Sequence, residues 1–339
     1  MQHEVEVEDV RKEFRSRDRS GGLWAATRGV FSAPERVAVA VAGLSFRIER
    51  GERVAFVGPN GAGKSTTLKI LSGILHPTSG QVSVAGLTPW EQRSELAYRI
   101  GAVFGQRTQL WYHLPAADTF ELLGHIYDRE PAEHRRRSAA LIEAFDIGPY
   151  LRQPVRQLSL GQRMRCEIVA SLLHAPQVLF LDEPTIGLDV SAKATIRELV
   201  REQSERDGRT IMLTSHDTGD MERVCERVIV ISQGRLVLDR SVDELRRGYI
   251  RKKLVTVQSE EPEPHFELRG VAIVGRSPHR IELEVNTQVA AVEAVLLELL
   301  RCVRVRDVNV QDPPMEEVVQ AIYDDAGLAR HDAPAQGVA

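Results

Sequence analysis

The sequence has few cysteines, no long apolar run and little net charge. Only 3 of its 339 residues are cysteines, and they are too few and too far apart for a disulfide framework or a CxxC metal site. No apolar run approaches the ~20 residues that a helix needs to span a bilayer. We therefore expect a reducing, cytoplasmic environment, and we expect any membrane part of the function to belong to another chain.

The charges nearly balance, with 44 basic against 48 acidic residues. This balance argues against a bulk affinity for nucleic acid. Residues 1–6 are acidic and alternate between polar and apolar, unlike a signal peptide. The length suits one large domain or two unequal ones.

What the sequence does contain is a glycine-rich stretch between an apolar run and a helical one. Its residues are Gly58, Pro59, Asn60, Gly61, Ala62, Gly63, Lys64, Ser65 and Thr66. The spacing GxxxxGK[ST] is that of a phosphate-binding loop. The glycines let successive backbone N–H groups point into one anion-sized hollow, and the following helix adds its positive N-terminus. Lys64 is expected to reach the β- and γ-phosphates of a nucleotide, and Ser65 to ligate Mg²⁺.

A second pattern is an apolar strand, residues 177–181, that ends in two acids. Such a strand delivers its acids to the carboxyl edge of a parallel sheet, beside the phosphate loop. Asp182 is therefore the expected metal ligand, and Glu183 the expected general base that positions or deprotonates the attacking water. An exposed turn that carries two acids is the alternative, and the phosphate loop makes it the weaker one.

Apolar strands alternate with amphipathic helices over the first 248 residues. Strands are expected at 4–10, 37–42, 45–48, 54–57, 81–84, 99–104, 177–181, 210–214 and 227–231, and helices at 67–71, 118–127, 132–145, 159–173, 191–206 and 217–225. This alternation predicts an α/β core with a largely parallel sheet, in which 4–10 forms an edge strand.

Two regions depart from this alternation. Residues 15–36 are basic and carry an apolar stripe, which predicts a short helix that lies either on a membrane or partner surface or on its own domain. Residues 249–326 contain two strand–helix units, at 281–300 and 303–323, which suggest a small α+β domain. Residues 327–339 are typical of a disordered tail.

The motifs together resemble the nucleotide-binding subunit of an ABC transporter. The segment that contains Ser159, Gly161 and Gln162 is similar to the family's signature motif, and it lies upstream of Asp182 and Glu183. Gln106 resembles the Q-loop glutamine, Asp189 belongs to a D-loop match, and His216 resembles the switch histidine. These elements follow the family's order across roughly residues 4–248.

The resemblance implies a P-loop ATPase domain over residues 1–248, with a helical subdomain at about 107–175, and a dimerising or regulatory accessory domain over 249–326. Two copies would face each other, with each ATP between the phosphate loop of one and the signature helix of the other. Ser159 and Gly161 would then meet the γ-phosphate, His216 would orient the water, and Gln106 would sense Mg²⁺ and water.

The subgroup implied is that of bacterial export ATPases that act with separately encoded permeases. ATP hydrolysis with Mg²⁺ would then drive transport, with export preferred, and the homodimer would sit on the cytoplasmic face of the inner membrane. Trp111, Tyr112 and Leu114 would either contact the permease or pack within the helical subdomain. The other classes considered are ABC ATPases of ribosomes, which usually carry two cassettes in one chain, and of DNA, which need a long coiled-coil insertion.

Two positions depart from the family pattern. Leu160 stands where the signature motif usually has glycine, so a bulky side chain would enter the interface and a positive φ would be costly there. The aromatic residue that stacks on adenine has no clear tyrosine counterpart. Phe14 is the expected residue, and Trp24 and Phe31 are its rivals.

Overall fold

The computed structural model describes residues 3–17, 35–105, 108–215, 217–249, 252–262, 266–313, 317–318 and 322. The chain divides into two compact units, Met1–Arg240 and Ser241–Ala339. Gln106, His216, the expected tail and most of the expected element at 15–36 lie outside the described residues. Among the described helices, none combines the length and apolar character needed to cross a membrane.

The first unit contains most of the regular structure. In chain order its elements are β1 (His3–Arg17), β2 (Glu35–Glu49), β3 (Arg53–Val57), α1 (Lys64–Leu71), β4 (Ser79–Val84), α2 (Arg93–Arg99), β5 (Ile100–Phe104), α3 (Ala116–Ile126), α4 (Pro131–Ala144), α5 (Leu160–Leu172), β6 (Val178–Asp182), α6 (Val190–Asp207), β7 (Thr210–Thr214), α7 (Thr218–Val224), β8 (Arg227–Ser232) and β9 (Arg235–Ser241). Short 3₁₀ turns at Gly148–Tyr150 and Val155–Gln157 precede α5.

A six-stranded sheet in the order β5-β6-β7-β3-β8-β9 forms the centre of this unit. The four strand pairs from β5 to β8 are all parallel, which confirms the predicted α/β core. Every residue of β7 is buried, as are the first four of β6, because strands covered on both faces favour continuous apolar runs. Parallel pairing brings the ends of β3, β6 and β7 to one edge of the sheet.

A three-stranded antiparallel sheet, in the order β2-β1-β4, packs against this centre. The rings of Phe46 on β2 and Phe56 on β3 lie 5.6 Å apart in the shared core. The prediction of an edge strand at 4–10 is wrong, since β1 pairs on both sides. The predicted break in β2 near Gly43 is instead a bulge, where Gly43 and Asp9 both have a positive φ.

The second unit contains α8 (Val242–Tyr249), β10 (Lys252–Ser259), β11 (Val271–Ser277), β12 (Arg280–Asn286), α9 (Val292–Cys302) and β13 (Val305–Gln311). Its four strands form an antiparallel sheet in the order β11-β12-β10-β13. Val295 and Leu299 of α9 pack with Val255 and Leu283 in its core. The sequence prediction missed β10 and β11. The basic run at 251–253 overlaps the start of β10, and the acidic, proline-rich run at 260–264 follows its end.

Candidate active site

The phosphate loop joins β3 to α1 at the carboxyl edge of the parallel sheet. Gly63 lies at the N-terminus of α1 with φ 105°, and no side chain caps this end of the helix. A Cβ atom on Gly63 would lie 2.4 Å from the Ala40 carbonyl oxygen, and one on Gly58 would lie 2.4 Å from that of Ile231. Neighbouring backbone therefore leaves no space for a side chain at either position, and the loop keeps its first-turn N–H groups for an anion.

Gly63→Ala is expected to destabilise the protein clearly more than Gly61→Ala does. Both positions have a positive φ, which costs an alanine about 1–2 kcal/mol. No atom lies within 4 Å of a Cβ on Gly61, so only Gly63→Ala must also displace the backbone of Ala40, at a further cost of about 1–3 kcal/mol. Denaturant unfolding of the two variants measures this difference, and equal losses would show that the close approach is unimportant.

Lys64 lies almost fully buried within the loop that precedes it. Its Nζ atom donates hydrogen bonds to the carbonyl oxygens of Gly58, at 2.6 Å, and Pro59, at 3.2 Å. Burial lowers the pKa of Lys64, and the negative charges of Glu183 and Asp182 act in the opposite direction. The ammonium group is thus held between the loop and the two acids at the end of β6.

Asp182, the last residue of β6, connects the phosphate loop to the neighbouring strand β7. Its Oδ1 atom accepts hydrogen bonds from the Ser65 hydroxyl, at 3.1 Å, and from the Thr214 hydroxyl, at 2.6 Å. Thr214 is fully buried, and sequence reasoning did not single it out. The available signal was its position as a polar residue that ends an apolar strand, directly opposite Asp182 in the β6–β7 pair.

The ligands around Asp182 suit a Mg²⁺ ion that is bound jointly by protein and phosphate. They do not suit a metal ion that is bound by protein side chains alone. Among the described residues, no group of three His, Cys, Asp or Glu side chains is placed to hold a metal ion. Mg²⁺ commonly binds through one or two carboxylates together with substrate phosphates and water. The hydroxyl of Ser65 and the carboxylate of Asp182, beside a phosphate-binding loop, match that requirement. Gln106, which the resemblance implies would sense Mg²⁺, is outside the described part of the chain.

Glu183 has an unusual backbone conformation, with φ 54°. Its N–H donates to the carbonyl oxygen of Thr214 at 3.0 Å and lies 3.1 Å from that residue's hydroxyl. A Cβ on Gly105, the residue before Gln106, would lie 2.9 Å from the carbonyl oxygens of both Asp182 and Glu183. The backbone around Glu183 is therefore fixed by β7 on one side and by the end of β5 on the other.

Ser159 forms the N-cap of α5 in a capping box with Gln162. The Ser159 hydroxyl accepts a hydrogen bond from the Gln162 N–H at 3.2 Å, and the Gln162 side chain accepts one from the Ser159 N–H at 2.9 Å. A hydroxyl that accepts one bond keeps its proton for donation. The capped end of α5 therefore retains a donor suited to a phosphate oxygen.

Leu160 is the first helical residue of α5, and it is not among the residues with a positive φ. The expected cost of a positive φ at this position is therefore wrong. The Leu160 side chain lies against Gly187, whose Cβ would be 3.2 Å from its Cδ2 atom, and a Cβ on Gly161 would be 3.2 Å from that of Ala192. The start of α5 thus packs on the D-loop segment, where Asp189 caps α6 by accepting from the Ala192 N–H at 2.9 Å.

Phe14 lies on β1, opposite Ala38 of β2, and 43% of its surface is exposed. The Lys12 Nζ atom is 5.2 Å from the centre of its ring. Two residues beyond Ala38, β2 reaches Ala40, which contacts Gly63 of the phosphate loop. Phe14 is thus an exposed ring on a strand that leads to the loop, while Trp24 and Phe31 lie outside the described residues.

The expected site residues fall into two groups. Lys64, Ser65, Asp182 and Glu183 meet at the carboxyl edge of the parallel sheet. Ser159 and Gly161 make their contacts within α5, with the D-loop segment and with the start of α6. In the described part of the chain, no hydrogen bond or ion pair joins these two residues to the phosphate loop.

Known proteins resemble this chain in sequence. The family model described as ABC transporter matches residues 41–186. The linearmycin resistance ATP-binding protein LnrL of Bacillus subtilis (strain 168) is 30% identical over 286 residues, which are 82% of this chain and 91% of that protein. The daunorubicin resistance ATP-binding protein DrrA3 of Streptomyces coeruleorubidus is 31% identical over 285 residues, with coverages of 82% and 89%.

A solved structure extends the likeness to three dimensions. It is a dimeric ATP-binding cassette in a post-hydrolysis state bound to ADP and Pi, with a TM-score of 0.59 and 27% identity over 70% of this chain and 98% of that one. The structural similarity covers most of both chains, so the sequence comparisons and the structure comparison indicate the same fold. The chain therefore belongs to the ABC transporter family, as one of its ATP-binding, ATP-hydrolysing subunits.

Proposed function

We propose that this chain powers export through a separate membrane permease and that it works as a homodimer. The observation that supports ATP hydrolysis as its energy source is the meeting of Lys64, Ser65, Asp182 and Glu183 at one sheet edge. Two of the relatives are named as linearmycin and daunorubicin resistance ATP-binding proteins. These names support export as the direction of transport. The dimeric state of the solved cassette supports a dimer.

In this proposal the phosphate loop and Lys64 bind the phosphates of ATP, and Phe14 stacks on the adenine ring. Ser65, Asp182 and Gln106 hold Mg²⁺, which offsets the negative charge of the phosphates when it is bound. Glu183 orients the attacking water and accepts its proton, and His216 helps to orient that water. Thr214 keeps Asp182 in place, because it donates to the carboxylate from the neighbouring strand.

The second group of site residues is assigned to the partner subunit's nucleotide. Ser159 of one copy would donate to the γ-phosphate bound by the other, and the Gly161 N–H would add the positive end of α5. ATP then stabilises the dimer because it contacts both copies. Loss of the γ-phosphate removes these contacts and favours the open state, as in other ligand-biased two-state changes.

The assay that tests this function is phosphate release by the purified chain, alone and together with a membrane permease that copurifies with it. Hydrolysis should require Mg²⁺ and stop on chelation, and transport into inverted vesicles should require both proteins. Absence of Mg²⁺-dependent phosphate release in the complex would refute the proposal. Copurification of no membrane protein at all would refute the permease partner alone.

The double variant Trp111→Ala, Tyr112→Ala is expected to weaken copurification of the permease at least about 10-fold, because large aromatic side chains dominate interface energies. These rings are 47% and 50% exposed beside the expected Q-loop, which favours a partner contact over packing within the helical subdomain. Phosphate release by the isolated chain should change little. Leu236→Ala, at an exposed apolar position of β9, is the control, and equal losses in both variants would contradict this assignment.

We propose an accessory role, dimerising or regulatory, for the second unit. All the residues proposed to bind ATP or Mg²⁺ lie in Met1–Arg240, and none lies in Ser241–Ala339. The second unit has its own sheet and its own core around Val255 and Leu283. An independent core without nucleotide-binding residues is consistent with an added domain that modifies the ATPase.

A further inference from the structure

A buried carboxylate beside the active site has no role in the function proposed so far. Asp220, on α7, is 0% exposed. It accepts hydrogen bonds from the Thr185 hydroxyl at 2.7 Å, from the Arg197 Nε at 2.5 Å and from the Ser215 hydroxyl. Thr185 and Ser215 are themselves buried. A carboxylate is retained in such a place only when its charge is well compensated, as it is here.

Asp217 extends this cluster. It accepts from the Lys193 Nζ at 2.7 Å and pairs with the Arg197 Nη2 at 2.7 Å, while its own N–H donates to the Ser215 hydroxyl at 2.9 Å. Burial acts to raise the pKa of Asp217, but the hydrogen bond from Lys193 and the charge of Arg197 hold it below its usual range. Two acids and two bases therefore form one compensated network, which also includes two hydroxyl groups.

The network joins three segments that the proposed mechanism uses separately. Thr185 lies two residues after Glu183, on the loop that leaves β6. Ser215 and Asp217 flank position 216, at the end of β7. Lys193 and Arg197 lie on α6, whose N-cap is Asp189 of the D-loop segment. Asp220 is bonded to all three segments at once.

We propose that Asp220 is a positioning residue for ATP hydrolysis, which holds the loop of Glu183, the residues that flank position 216 and the helix of the D-loop in one fixed arrangement. The inference rests on the proposed roles of Glu183 and His216. Asp220 acts through Thr185, Ser215 and Arg197, and it does not touch the nucleotide. A displacement of about 1 Å in a catalytic group can cost about 100-fold in rate, so the arrangement affects turnover more than binding.

The test compares Asp220→Asn with Asp207→Asn. Asp207 is the last residue of α6, at the end away from the D-loop segment, and it pairs with the buried Arg209 at 2.8 Å. Both variants therefore remove the charge of a carboxylate that pairs with an arginine. Asp220→Asn is expected to lower kcat about 10- to 100-fold at a temperature where it is fully folded, with KM for ATP within about 2-fold. Asp207→Asn should leave kcat within about 2-fold, whatever its effect on thermal stability.

A milder variant guards against a failure to fold. Thr185→Val removes one hydrogen bond to Asp220 and leaves its pair with Arg197 intact. It is expected to lower kcat about 3- to 10-fold without a change in KM. A kcat equal to that of the native chain in Thr185→Val, or equal kcat values in Asp220→Asn and Asp207→Asn, would overturn the inference and leave the network a structural role. Retained turnover in Glu183→Gln would instead overturn the proposed mechanism itself, so the two failures are distinguishable.

Discussion

Glu183→Gln is expected to lower the rate of phosphate release at least about 100-fold while ATP binding stays within a few-fold of the native affinity. Glutamine has nearly the same size and keeps the hydrogen-bonding shape of the side chain, but its amide cannot accept a proton from water. General acid–base groups contribute about 10²–10⁴-fold. Because the γ-phosphate is then retained, ATP should hold the variant as a dimer, and light scattering during gel filtration with saturating ATP measures this.

The control is Glu198→Gln, on the exposed surface of α6, where the native carboxylate pairs with Arg201. It should behave as the native chain in both assays, since surface pairs contribute little. A Glu183→Gln protein that stays monomeric at saturating ATP would contradict the shared-nucleotide dimer. One that turns over normally would contradict the assignment of the general base.

Lys64→Ala is expected to weaken ATP binding about 10- to 100-fold. The variant loses a buried positive charge next to the expected phosphates, and a hydrogen bond to a charged group contributes about 1.5–3 kcal/mol. The carbonyl oxygens of Gly58 and Pro59 hold the Lys64 ammonium within the phosphate loop. Isothermal titration with ATP and Mg²⁺ measures the change directly.

Lys69→Ala provides a matched control, because Lys69 lies in the last turn of the same helix. Its charge is remote from the positive end of α1 where a phosphate would bind. The affinity of this variant should stay within about 2-fold of the native value. Unchanged affinity in Lys64→Ala would refute its assignment to the phosphates.

The centre of the fold was predictable because local pattern and tertiary structure agree there. The strand predicted at 210–214 is β7 residue for residue, and all five of its positions are buried, as expected of a strand that is covered on both faces. The phosphate loop was equally readable, because the spacing GxxxxGK[ST] after an apolar strand is specific to such loops. The positions of Gly58 and Gly63 against neighbouring carbonyl groups give the structural reason for that pattern.

Other features depend on which segments become neighbours, and periodicity alone does not encode this. Thr214 matters because β7 pairs with β6 in a register that puts it opposite Asp182. Asp220 matters because three segments far apart in sequence converge on it.

The backbone of Glu183 has a consequence for engineering. Its φ of 54° is a conformation that glycine and asparagine adopt more readily than glutamate does, at a cost to glutamate of about 1–2 kcal/mol. A library of variants at this position, screened only for thermal stability, would therefore enrich glycine or asparagine. The selected variants would lack the carboxylate that is proposed to activate water. Thermostability and turnover make opposite demands on one residue, so any directed-evolution scheme for this ATPase must select for both together.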